Sequence, residues 1–303
     1  MGVLKNRINI RKYLKYFIGI CLTALFLYFS SLVLFDNINT LFNITAHTEI
    51  IKFHTVNKPI SRYNLNNASI HITENYNFKE IYSSFNGTLE LNKNVDVEIE
   101  RISQGAIIIS IEGENGKSIG NLFNSNNKKV FKANDYMLIE INKVDSLLYN
   151  GISIVFPLSG IVELGKSVDV EIYEETSPVL RTGDITMTGY SNFGGGRYFD
   201  AGSKKLYLGD FLEFEDKDGI GFVSINDNPA LQVAYRIEAD QAIIRKPGPK
   251  GKNSGYIISA SVYDKFINDS LFQGISLIFA MLLILFSLID SIMNVFNLKK
   301  IGK

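Results

Sequence analysis

Apolar and polar residues alternate one by one through much of the middle of this chain, and they do so in a phrase written nearly twice. Residues 87–100 read GTLELNKNVDVEIE and residues 160–173 read GIVELGKSVDVEIY, identical at nine of fourteen positions and 73 residues apart. In the two stretches Val95, Val97, Ile99 and Val168, Val170, Ile172 are spaced by acids. That is the period of two expected of a strand with one buried and one wet face. KKVFKANDYML at 128–138 and KKLYLGDFLEF at 204–214 echo each other at nearly the same offset. Self-similarity at such an offset predicts one β module copied in tandem.

The remaining patterns fit the same plan. GAIIISIEG, DYMLIEIN, NGISIVF, GDITMTGY, GIGFVSIND, PALQVAYRIEAD and SGYIISASVYD are short, β-branched or aromatic runs bounded by Gly, Asn, Asp and Pro. Such runs read as strands closed by turns, and no helical period stands out between residues 36 and 270. The expected fold is an all-β domain, sandwich or barrel, made of two tandem duplicated β modules and flanked by N- and C-terminal transmembrane helices. Its expected divisions are a lead segment over 36–86, rich in Asn and without a second copy, module one over 87–159, and module two with a final strand over 160–270.

Two stretches break the alternation because they hold no charge at all. YFIGICLTALFLYFSSLVLF at 16–35 and LFQGISLIFAMLLILFSLI at 271–289 are each about 20 residues, which at about 1.5 Å per residue matches a hydrocarbon core of about 30 Å. The first exceeds the apolar core of a secretory signal and lacks an A-x-A-like cleavage site, so it reads as an uncleaved anchor. Lys5, Arg7, Arg11, Lys12 and Lys15 precede it in the tail 1–15, and Lys299, Lys300 and Lys303 close the tail 290–303. Basic flanks face the cytoplasm, so both tails are expected inside and residues 36–270 outside it, at a cell or inner membrane.

Charge and cysteine usage sharpen this picture. The chain has 31 basic and 31 acidic residues, but the tails hold eight basic residues and one acid, Asp290. The outer region is left with 23 basic and 30 acidic groups, an excess that disfavours nucleic acid as a partner. Cys21, the single cysteine, lies in the first apolar run, so the outer domain has no disulfide to form. The Asn, Ile and Lys bias without Trp suits an AT-rich bacterial genome, and the N-x-[ST] triplets at Asn43, Asn67, Asn86 and Asn268 are no more than such a composition yields.

Few residues offer chemistry. Gly160 to Ser167 formally satisfy the phosphate-loop pattern G-x-x-x-x-G-K-S, yet a strand follows where that loop needs a helix, so no nucleotide and no cofactor is expected. His47, His54 and His71 are too far apart and too poor in companions for a metal site, and no G-x-S-x-G elbow is present. The carboxylate pairs Glu213/Glu215 and Asp216/Asp218 read as solvated positions and not as a glycosidase pair. Two loops are candidates for ligand or partner contact. One carries Asn192, Phe193, Gly194, Gly195, Gly196, Arg197 and Tyr198, combining backbone access with stacking rings and a forked donor. The other is basic, with Arg245, Lys246, Lys250 and Lys252. In the second apolar run, Ser276 and Ala280 have the small-xxx-small spacing of close helix packing, and Asp290 is a polar group at the membrane boundary.

The expected function is that of a non-enzymatic binding, sensing or scaffolding component of a bacterial envelope complex, in contact with the lipid bilayer and with a protein partner or further copies of itself. A homo-oligomeric two-helix channel gated by its outer domain is the first alternative. An accessory role in polysaccharide assembly is the second, since bacterial chain-length regulators resemble this chain in topology, although they are built on long helices that its pattern lacks.

Overall fold

A computed structural model describes residues 2–34, 38–56, 62–74, 77–113, 117–142, 154–166, 178–191, 196–215, 217–226, 228–248 and 255–301. The chain is mostly β-sheet, with an apolar helix at each end. Helix α1 spans Gly2–Leu34. Seventeen strands follow among the described residues, all in one hydrogen-bonded sheet. They are β1 Ile38–Thr48, β2 Ile50–His54, β3 Arg62–Glu74, β4 Asn77–Leu91, β5 Val95–Glu100, β6 Ile107–Gly113, β7 Ser118–Asn124, β8 Lys129–Asn134 and β9 Tyr136–Ile141. Then come β10 Ile154–Leu164, β11 Leu180–Ser191, β12 Arg197–Leu206, β13 Phe211–Phe214, β14 Asp218–Ile225, β15 Leu231–Ala239, β16 Ala242–Arg245 and β17 Gly255–Ile258. Helix α2, Val262–Asn268, and helix α3, Ser270–Ile301, complete the chain. Two compact units result. One holds residues 39–188 and 202–259, and the other holds 1–38, 189–201 and 260–303.

In the larger unit the ladder runs through antiparallel pairs. β7 joins β8 and β4, β4 joins β3, β3 joins β9, β9 joins β6, β6 joins β5 and β5 joins β2. β2 then pairs with the end of β10, whose earlier residues pair with β14. From β14 the ladder continues to β15 and β1, and β13, β16 and β17 branch from the last residue of β10. The lead segment is thus woven into the sheet, because β2 stands between β5 and β10. The alternation read in the sequence appears here as aligned rows. Leu164, Ile51, Ile99, Ile109, Ile139 and Ile70 lie in register across six strands, and none is exposed. Burying each side chain stabilises the fold by about 1.5–3 kcal/mol before entropy is counted.

The repeated phrase is not one strand. It turns between β4 and β5 at Asn94, whose φ of 54° is a left-handed conformation that Asn tolerates better than most residues. The Asn94 N–H donates to the Thr55 carbonyl at 2.7 Å, and Asn92 Nδ2 donates to the Ser118 carbonyl at 2.6 Å. The matching stretch of the second copy, 168–173, expected as a strand, lies outside the described residues. KKLYLGDFLEF also divides, into the end of β12 and all of β13, at Gly209 with φ 80°. The stretch SGYIISASVYD, expected as the last strand, holds only the short β17 and then helix α2. Ser261 starts that helix with a capping box: its Oγ accepts from the Asp264 N–H, and the Asp264 carboxylate accepts from the Ser261 N–H.

Two buried charges tie turns to strands in this unit. Arg101 is 3% exposed and its Nη1 donates to the carbonyls of Asn226, Asn228 and Ala230 at 3.0, 3.0 and 3.1 Å. Glu49, between β1 and β2, accepts from Arg181 Nε and Nη2 at 3.1 and 2.6 Å and from the Val179 N–H at 3.2 Å.

In the smaller unit, α1 and α3 touch where Phe26 stacks on Phe279 with ring centres 4.2 Å apart. Tyr16–Leu34 and Ser270–Ile289 are each long and apolar enough to cross a membrane.

Candidate functional site

The polar rows of the sheet carry the best-defined candidate site, an open cleft of about 450 Å³ over β2, β5, β6, β9 and β10. Because the strands pair in register, residues far apart in sequence fall into two lines. Glu163, Lys52, Glu98 and Ser110 form the first, and Ile161, His54, Asp96, Glu112 and Tyr136 the second. All nine line the cleft. The approach of β10 to β2 depends on Gly160, because a Cβ there would run into the His54 carbonyl and its φ is 140°. The same glycine opens the apparent phosphate loop. Residues 160–164 of that motif are strand, so their amides belong to the ladder, and Ser167 onward lies outside the described residues.

Charge in the cleft is paired but not balanced. Lys52 Nζ forms an ion pair with Glu98 Oε2, and His54 Nδ1 lies 2.7 Å from Asp96 Oδ1. The Asp96 carboxylate therefore holds the imidazole proton on Nδ1 and leaves Nε2 as the acceptor of the neutral ring. Glu112 and Glu163 add two further acids. Burial pushes the Glu163 carboxyl up, Glu213 and Asp96 push it further, and Lys52 opposes them. Next to the cleft, Glu100 is pushed up to about 7 by burial, then by its hydrogen bond with Glu98 and the charge there, with Lys52 and Lys166 opposing. Burial also acts to raise Glu98, but its hydrogen bonds with Glu100 and Lys52 and the two lysine charges outweigh that and hold it below the usual carboxylate range.

With Asp96, Glu98, Glu112 and Glu163 against Lys52, the arrangement suits binding of positive charge. Ser110 stands opposite Glu98, one row away from His54, whose partner is Asp96, so among the described residues of the cleft no serine faces a histidine. Among the described residues no group of three or more His, Cys, Asp or Glu is placed to hold a metal ion.

The residues expected from sequence fall elsewhere. Asn192, Phe193, Gly194 and Gly195 lie outside the described residues. Gly196 has φ 71° and packs against Tyr190, Arg197 reaches Asp269 at 3.5 Å, and Tyr198 is exposed with its ring 5.0 Å from that of Tyr190. In the basic loop Arg245 is ion-paired to Glu213, and Lys246 to Asp210 at 2.7 Å, so both basic groups face anions of their own chain. Lys250 and Lys252 lie outside the described residues, as does Asp216 of the second carboxylate pair. Ser276 is half-buried and Ala280 is exposed, close to the Phe26–Phe279 stack, and the backbone of Asp290 is helical. His47 and His71 are half-buried strand residues, and His54 alone of the three histidines lines the cleft. The cleft itself was not evident from the sequence. Its only trace is that TEIIKFH and VDVEIE both place charged residues on the polar side of their alternation.

Compared with protein-family models, with curated proteins and with solved structures, the chain matches none.

Proposed function

We propose that the protein is a two-pass membrane protein of a bacterial envelope, with both termini cytoplasmic, whose external β domain binds a partner without catalysing a reaction. The reading is carried by one observation: helices α1 and α3, each able to span a bilayer, bracket a sheet whose polar side holds a cleft with more acids than bases. The basic tails support the orientation. Asp96, Glu98, Glu112 and Glu163 set against Lys52 favour a partner that presents amine or guanidinium groups. Tandem duplication belongs to the same reading. It is supported by the shared phrase and by the way its first five residues end β4 in one copy and β10 in the other, with Gly87 and Gly160 in tight ladders and Leu91 and Leu164 buried.

The test is to purify the full-length protein gently from its native membrane and measure the mass and composition of the complex. A stoichiometric second protein is expected, and it should be lost when Asp96→Asn, Glu112→Gln and Glu163→Gln are combined. All three side chains are on the wet face, so the variant should still fold and unfold in one cooperative thermal transition. A complex of this chain alone, unchanged in the triple variant, would overturn the reading and move attention to the channel alternative.

A further inference from the structure

Helix α2 wears its polarity inside out. Lys265 is 0% exposed, and Asp269, just after the helix, is 1% exposed. Tyr263 is 70% exposed, and Val262, Phe266 and Ile267 are also open. In a short helix beside water the opposite pattern is expected, with the charged side chains outward and the apolar ones covered. The inverted pattern is held in place by specific contacts. Ser261 and Asp264 cap the first turn, and Asn268 Nδ2 donates to the Asp200 carbonyl at 2.7 Å. Asp269 Oδ1 accepts from the N–H groups of Leu271 and Phe272 at 2.8 and 3.3 Å, starting α3, while the Arg197 guanidinium lies 3.5 Å from its carboxylate. The orientation of α2 is therefore built into the fold, and its apolar face is turned outward by design of these anchors.

The level of α2 along the two spans follows from the Phe26–Phe279 stack. Phe26 is eight residues before Leu34, the end of α1, and Phe279 is nine residues after Ser270, the start of α3. At about 1.5 Å per residue those ends stand about 12 and about 14 Å from the stack, which makes them level to within one residue's rise. A hydrocarbon core of about 30 Å has its midplane about 15 Å below its edge, so a stack near the midplane puts Leu34, Ser270 and the helix before Ser270 at the membrane surface. Burial along the spans agrees. Ser30, Val33 and Phe272 are the buried residues among those described on the two spans, all at the ends nearest α2, and α2 touches both helices.

We propose that α2 lies in the lipid headgroup and upper acyl zone of the outer leaflet, with Val262, Tyr263, Phe266 and Ile267 in contact with lipid. The inference rests on the reading that α1 and α3 cross the membrane. Tyrosine is a residue of that zone, because its ring is apolar and its hydroxyl is wet. The occupant is lipid and not a protein, since the face continues, across the single residue Asp269, into a span of the same apolar character. The device fixes the tilt at which α3 leaves the bilayer, and it secures Arg197 and Asp200 of the neighbouring β12 to the membrane surface through Asp269 and Asn268.

The natural chain has no Trp, so a single indole reports its own surroundings. The full-length Tyr263→Trp and Phe279→Trp variants would each be reconstituted in phosphatidylcholine vesicles whose acyl chains are brominated either near the headgroup or near the methyl end. For Tyr263→Trp, blue-shifted emission and about twofold quenching by bromine near the headgroup, with less by bromine near the methyl end, are expected. For Phe279→Trp the order should be reversed. Water-like emission from Tyr263→Trp, untouched by either lipid and quenched by iodide, would overturn the proposal while Phe279→Trp, still quenched by deep bromine, leaves the membrane reading standing. If neither lipid quenches Phe279→Trp, the membrane reading fails and the proposal fails with it.

Discussion

Glu100 is the carboxyl whose ionisation the fold resists most plainly. Its folded value is about 7, against 4.5 for an ordinary glutamate, because burial and then Glu98 disfavour its charge. Between those values the folded chain holds a proton that the unfolded chain has released. The unfolding free energy therefore falls as pH rises through that window, and what Glu100 contributes is present below it and lost above it. Glu163, also raised, acts in the same direction. Glu98 is lowered, so its contribution is present above the ordinary glutamate value and lost as pH falls through its folded value. The melting temperature of the full-length protein should thus decline from about pH 5 to about pH 8, and Glu100→Gln should flatten most of that decline. A variant that kept the wild-type slope in a thermal scan would place the responsible carboxyl elsewhere.

Among the elements, the strands β2, β5, β6, β9 and β3 share a row of isoleucines, and Ile109 is its centre. Ile109→Ala should cost about 2–5 kcal/mol and Ile109→Val about 0.5–1.5 kcal/mol, read from denaturant unfolding of the protein in detergent, with the slope of the transition unchanged. An alanine cost equal to the valine cost would mean that the row can collapse around the lost side chain. The sheet side of this architecture was legible in the sequence, because a period of two states which face is buried without needing the partner strand. Breaks in the sheet were harder to read. Leu89, Leu91, Val95, Val97 and Ile99 stay in phase across the turn at Asn94, so the alternation runs on as if β4 and β5 were one strand. Helix α2 was not evident because seven residues hold barely two turns, and Val262 and Tyr263 continue the expected strand SGYIISASVYD. Its capping residues Ser261 and Asp264 were the available signal. The cleft was not legible at all. Lys52 meets Glu98 and Glu163 only because β2 pairs on both sides, and cross-strand partners 46 and 111 residues away leave no mark on local pattern.

At the scale of the whole molecule, the reading turns on which side of the membrane each segment lies, and the chain is well suited to a direct measurement. Cys21 is its only cysteine, so Cys21→Ala gives a background without thiols. In that background Ser203→Cys, an exposed position on β12, should react with a membrane-impermeant maleimide in cells whose inner membrane is intact. Lys299→Cys, in the basic tail, should react only after lysis. Five basic residues ahead of the apolar part of α1 and three in the tail after the apolar part of α3 each favour the cytoplasm, and two crossings would return the chain to the side on which it began. Labelling of both positions in intact cells would require that one apolar helix does not cross. Labelling of Lys299→Cys alone would invert the molecule, leaving the acidic cleft in the cytoplasm and its cationic partner to be sought there.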